Sequence, residues 1–340
     1  MLETRRAGTF IKQFVGPGEN NILCFRFYQA VIASGCPGEC SYCFLQTQYP
    51  YRSGNYDLKG TLFLNLKDII PEAEKWLQIP TPTGLIIGEN QDGLAFEGPY
   101  KKLLNVTPLE LLIPLFRDHN PVGHILIVLS KFTSTQYAEA LEPSQNVVYS
   151  WSLSLPTISR DYERKVASLD ARLRKAQEMK AAGHRIRFRL DALAPIPMWE
   201  VELDEVMARI NEISPEMLTI GALRASNAGA LRRAAEKNGR DSAIFDHIAT
   251  MDPSGFKHRT EQDFHISAFQ RIKNSLNPDI ALGLCKEDVS MWHEIGATWQ
   301  GCHCLHGTRD QVAQNRVQLL NQPQQPIPIQ RSLRLERGAS

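Results

Sequence analysis

The stretch Cys36-Pro-Gly-Glu-Cys40-Ser-Tyr-Cys43 places three cysteines within eight residues, spaced C-x3-C-x2-C. Iron–sulfur clusters are ordinarily held by four thiolates. Three thiolates on one loop therefore bind three irons of a 4Fe-4S cluster and leave the fourth iron to an outside ligand. A zinc site would pair a short cysteine spacing with a second Cys or His pair. No such pair follows nearby, the next Cys or His after Cys43 being His119.

Outward from this loop the chain reads as alternating strands and helices. Ile22–Ile32 alternates as a first strand leading into the cysteines. Apolar strand-like runs recur at 84–88, 124–130, 147–153, 185–190 and 217–221, separated by helical stretches at 67–77, 108–118, 169–182 and 201–213. Strand–helix alternation predicts parallel βα units, here a partial (β/α)6 barrel of the TIM type. Active sites in such barrels sit at the C-terminal ends of the strands, where most polar motifs of this chain fall. The expected organisation is an N-terminal arm (1–22), the barrel (23–226), a helical, cysteine-bearing C-terminal extension (227–321) and a loose, Pro/Gln-rich tail (322–340).

Bulk composition selects no partner. Lys+Arg 38 against Asp+Glu 37 over 340 residues gives a net charge of +1. No apolar run reaches the length of a membrane span, and residues 1–6 lack the apolar core of a signal peptide. Seven clustered cysteines predict metal ligation in a reducing cytoplasm instead of a disulfide framework.

The cysteine spacing, with Tyr42 just before the last thiol, resembles the signature of the radical S-adenosylmethionine (SAM) superfamily. Within it the chain resembles the spore photoproduct lyase family. The likeness is carried by Cys36–Gln46, by Val148–Ser154 with Tyr162-Glu163 and Arg172-Leu173, by Phe188–Asp191, by Thr219–Arg224, and by Leu284–Glu287 with Trp292. The resemblance implies a SAM-binding 4Fe-4S cluster on Cys36, Cys40 and Cys43, reductive SAM cleavage to a 5′-deoxyadenosyl radical, and hydrogen abstraction from a substrate carbon. It implies SAM contacts at Gly88-Glu89 (amino group), Lys131 (carboxylate), Ser152 and Ser154 (ribose). Tyr42 is either a hydrogen relay or packing for the loop. Asn90, Asp92, Arg189, Asp191 and Arg224 take substrate-facing or catalytic roles. A reductant such as flavodoxin or ferredoxin is implied as partner, and a thymine or modified thymine in DNA as substrate of lyase or isomerase chemistry. Two alternatives stand beside this: a radical SAM enzyme acting on a small molecule or peptide, and a non-catalytic iron–sulfur or zinc protein that binds nucleic acid.

One departure from the family is conspicuous. Its hydrogen-donor cysteine belongs in the loop that here reads Gly88-Glu-Asn-Gln-Asp-Gly93, and no cysteine occurs between Cys43 and Cys285. Efficient repair of the spore photoproduct by the family's route is therefore not expected, and the loop reads as a recognition element. Cys285, Cys302 and Cys304, with several histidines nearby, admit three readings: a second iron–sulfur cluster completed by Cys24 or a histidine, a Cys3His zinc site, or free thiols. Cys285 is also a candidate relocated hydrogen donor. Two basic concentrations, Arg172–Arg189 and Arg232–Lys273, read either as phosphate-tracking surfaces or as solvated helix faces. Arg185, Arg187 and Arg189 alternate on one strand face, which points either outward or into a site.

Overall fold

Successive side chains of a strand face opposite sides of its sheet, and in this chain the two sides differ in chemistry. Ile186, Phe188 and Leu190 alternate with Arg187 and Arg189, and Tyr149, Trp151 and Leu153 with Ser150 and Ser152. The aromatic and aliphatic set packs under the helices as the main core. The other set faces the lumen, whose apolar part is small: Phe27, Ile86, Ile125, Ile127, Leu129 and Val148.

The computed structural model describes residues 1–14, 27–48, 60–225, 227–248, 250–251 and 258–304. Eight strands form the main sheet: β1 (Ile11–Phe14), β2 (Phe27–Ala30), β3 (Gly84–Ile87), β4 (Ile125–Ser130), β5 (Val147–Leu153), β6 (Arg185–Leu193), β7 (Met217–Ala222) and β8 (Ala281–Leu284). They lie side by side in chain order. β1 pairs antiparallel with β2, and every later pairing is parallel. Among the described residues no pairing joins β1 to β8, so the barrel is open. The expected partial α/β barrel is thus present. Ala281–Leu284, in the expected extension, is its last strand.

The helices follow from local signals. Thr107 forms a capping box with Glu110, and Pro108 sits at the first position of helix Pro108–Asp118. Ser168 accepts from Ala171 N at 3.2 Å to start Leu169–Ala181. Among the described residues no helix is long and apolar enough to cross a membrane. Cys24, His306, residues 15–22 of the arm and the 322–340 tail lie outside the described residues.

Candidate active site

The cysteine loop leaves the C-terminal end of β2, the end at which barrel enzymes carry their chemistry. Glu39–Cys40 pairs antiparallel with Glu163–Arg164, which ties the loop to the segment after β5. Cys43 N donates to Cys40 O at 3.1 Å, and the buried Gln46 side chain donates to Cys40 O and, at 3.0 Å, to Ser41 O. Cys36, Cys40 and Cys43 line one cavity of about 500 Å³. Burial pushes all three thiols above their ordinary pKa, so their thiolates need positive charge beside them, as iron supplies. Among the described residues no three His, Cys, Asp or Glu groups converge on a single-ion site. This gives no support to zinc at Cys285, Cys302 and Cys304, because zinc needs its ligands gathered around one point.

Behind the loop Glu163 gathers four partners. Oε1 accepts from the Tyr42 hydroxyl, from Lys131 Nζ at 2.7 Å and from Ser154 Oγ at 2.8 Å, while Oε2 accepts from Arg172 Nη2. Its burial alone would raise the carboxyl pKa, but Arg172 and Lys131 bring it down to about 2. Tyr42 and Lys131 reach the cavity, held by this carboxylate, and Lys131 Nζ lies 5.9 Å from the Tyr42 ring centroid. Ser154, expected at the SAM ribose, is fully buried on Glu163 and does not line the cavity, whereas Ser152 does. Sequence reasoning noted Glu163 and Arg172 without giving them a role. Their signal was a carboxylate and an arginine nine residues apart around a helix start.

The wall after β3 begins at Gly88, whose φ of +122° and 2.0 Å approach of a Cβ position to Leu129 O admit only glycine. Glu89, Asn90 and Asp92 line the cavity. Asp92, expected in a substrate-facing or catalytic role, lines the cavity but is largely engaged in structure. It accepts from Ser130 Oγ (2.6 Å), Lys131 N (2.8 Å), Leu94 N (2.9 Å) and Ala95 N (3.0 Å), which ties the loops after β3 and β4 together. Asn90 donates to Gln29.

Opposite stands Arg189, donating to Glu89 Oε1 at 2.8 Å, Asp191 Oδ2 at 2.9 Å and Cys285 Sγ at 3.3 Å. Arg224 lies 4.0 Å from both Asp191 and Glu287. The three alternating arginines of β6 therefore point inward. Arg185 and Arg187 pair with Glu216, and Arg189 completes the cavity wall.

The floor comes from the C-terminal end of the described chain. Cys302 and Cys304 line the same cavity as the loop thiols and Cys285. His303 O accepts from Arg187 Nη1 at 2.9 Å, and His303 Nδ1 lies 3.3 Å from Ser150 Oγ. A Cβ on Gly84 would stand 2.6 Å from Cys304 O. Gly84→Ala is accordingly expected to push this segment out of the lumen, at about 1–3 kcal/mol, and to speed alkylation of Cys302 and Cys304. An unchanged alkylation rate with unchanged Tm would remove the segment from the lumen. The sequence leaves these thiols open between a second metal site and free thiols. The fold brings them to the cavity of the loop thiols.

Several of the basic residues are ion-paired or hydrogen-bonded. Arg172 is buried on Glu163, Lys175 pairs with Glu139 and Glu178, Lys180 donates to Ile213 O and Ser214 O, Arg232 pairs with Asp246 and Arg271 with Asp204.

No family model matches the chain. The chain is an open α/β barrel with a three-thiol loop after its first parallel strand. Spore photoproduct lyase from Clostridium acetobutylicum is 23% identical over 188 residues, spanning 54% of this chain and 52% of that protein. The match thus covers about half the length of that curated relative. Among solved structures, spore photoproduct lyase complexed with dinucleoside spore photoproduct superposes with a TM-score of 0.60 at 17% identity, covering 76% of each chain. A mutant of that enzyme with bound AdoMet and dinucleoside spore photoproduct gives 0.58 at 17%, covering 83% of this chain and 80% of that one. The fold is that of spore photoproduct lyase, and half of the sequence aligns with a member of that group.

Proposed function

We propose that this chain is a radical SAM enzyme of the lyase or isomerase type, with Cys36, Cys40 and Cys43 holding a 4Fe-4S cluster and a thymine or modified thymine base in DNA as substrate. The observation that carries the reading is the union of three loop thiols, Lys131, Glu89 and Arg189 on one cavity of about 500 Å³, within the size range of small-molecule sites. When bound, the cluster supplies the electron that cleaves SAM. The chain's own residues do the positioning. Lys131, anchored by Glu163, offers a fixed cation to a carboxylate, and Glu89 offers an acceptor to an amine. Arg189 and Asp191 form a rigid polar wall for the edge of a base.

Arg189, Asp191 and Arg224 inside the cavity favour recognition of a base there. A second cluster on Cys285, Cys302 and Cys304 would require more iron than one cluster holds. The test is anaerobic incubation of the iron-loaded, reduced protein with SAM, with and without thymine-containing oligonucleotides or dinucleoside spore photoproduct. Release of 5′-deoxyadenosine, accelerated by the nucleic acid, is expected. Its absence sinks the enzyme reading and leaves a binding protein. Release that no thymine-containing DNA alters, without DNA retention on a gel, would redirect the search to small molecules or peptides.

A further inference from the structure

The Cys302-His303-Cys304 segment has no part in holding the loop cluster, yet it lies in the barrel lumen and forms part of the same cavity. The two thiols are separated by one residue and both line that cavity. Arg187 and Ser150 clamp the intervening His303, and Gly84 leaves room for the backbone of Cys304. Cys285 is placed differently, with its sulfur accepting from Arg189 Nη2 at 3.3 Å. On the opposite wall Glu89, Asn90, Gln91 and Asp92 carry only O–H or N–H bonds, too strong to yield a hydrogen atom readily. The Tyr42 hydroxyl is committed to Glu163.

We propose that Cys302 and Cys304 form a redox-active dithiol in the cavity floor that delivers a hydrogen atom to a carbon radical generated above it. The inference rests on the proposed SAM cleavage. One thiol gives its hydrogen atom to the radical, so that a C–H bond forms, an S–H bond breaks and a thiyl radical remains. The partner thiol loses its proton to water and bonds to the thiyl sulfur. The extra electron of the resulting disulfide radical anion passes to a one-electron acceptor, an oxidised flavoprotein or iron–sulfur protein, leaving a neutral disulfide. Two thiols thus yield one hydrogen atom, one proton and one electron. A small dithiol restores them. The pairing matters because a lone thiyl radical would have to recover a hydrogen atom from the product.

The test needs no identified substrate. Thiol hydrogens exchange with solvent and carbon-bound ones do not. The iron-loaded protein, reduced by a flavodoxin-type protein and given SAM in D2O without added thiols, is expected to release deoxyadenosine carrying one deuterium. The tryptic peptide 287–309 contains Cys302 and Cys304 and excludes Cys285. It should then resist alkylation and weigh two hydrogens less than its dithiol form. In Cys302→Ser/Cys304→Ser, which keeps the size of both side chains, the deuterium fraction per deoxyadenosine should fall several-fold. That ratio is independent of the rate of SAM cleavage.

An unchanged deuterium fraction in the double variant overturns the proposal. So does its loss in Cys285→Ser or Tyr42→Phe instead, or a fall in bound iron showing that the pair holds a second cluster. If no deoxyadenosine forms in any sample, the SAM reading fails and takes the donor role with it. In that case titration of the same peptide against oxidised dithiothreitol still reports whether the pair closes.

Discussion

Replacing Cys36, Cys40 and Cys43 together by alanine is expected to abolish 5′-deoxyadenosine release, down to the background of reductant and SAM alone, while the fold survives. The three thiols sit on a loop held by other groups: the pairing of Glu39–Cys40 with Glu163–Arg164 and the Gln46 hydrogen bonds to the loop backbone. None of those contacts uses a sulfur. Truncating the buried Cys40 and the half-buried Cys36 and Cys43 costs about 1 kcal/mol each, a shift in Tm of about 6–12 °C in all at about 2–4 °C per kcal/mol. Bound iron should fall sharply, since the variant removes all three thiols proposed to hold the cluster at the cavity. Iron retained by this variant would identify a second cluster. Continued deoxyadenosine release would end the radical SAM reading of the loop.

How much of this was legible beforehand depends on the range of the interactions. The barrel could be read because its strands are short, apolar and regularly spaced, and because they neighbour one another in chain order. The loop thiols could be read because all three ligands fall within eight residues. The structural part of Asp92 was not legible because its four donors come partly from the next strand, through Ser130 and Lys131. A carboxylate in a loop gives no local sign that its lone pairs are already filled. The arginines of β6 left two readings open, since a period of two tells which residues share a face but not which face looks inward. The C-terminal cysteines were hardest. The approach of Cys304 to Gly84, 220 positions earlier, and of His303 to Ser150 and Arg187 brings them to the cavity of the loop thiols, and no sequence pattern encodes such a return.

Glu163 gives the largest expected effect on stability. Its carboxylate and the Arg172 side chain are both wholly buried, and Lys131 shares Oε1. Glu163→Ala leaves Arg172 as an uncompensated buried charge, which costs about 3–5 kcal/mol and lowers Tm by about 10 °C at 2–4 °C per kcal/mol. It also frees Tyr42 and Lys131, so iron loading and SAM binding should weaken with stability. Glu163→Leu combined with Arg172→Met removes both charges and should recover much of the lost stability. A double variant as unstable as the single one would show that the pair matters through shape and not through charge.

The same carboxylate sets an acid limit. Its folded pKa of about 2 lies below the ordinary value near 4.5, so its contribution is present above about pH 4.5 and is lost as pH falls toward 2. The contribution is on the order of 3 kcal/mol. Urea midpoints at about pH 7 and about pH 3 should therefore diverge more in the wild type than in Glu163→Gln, which cannot titrate. Equal divergence in the two proteins would assign the acid sensitivity to other groups and deny Glu163 its place as the charge that holds Tyr42 and Lys131 at the cavity.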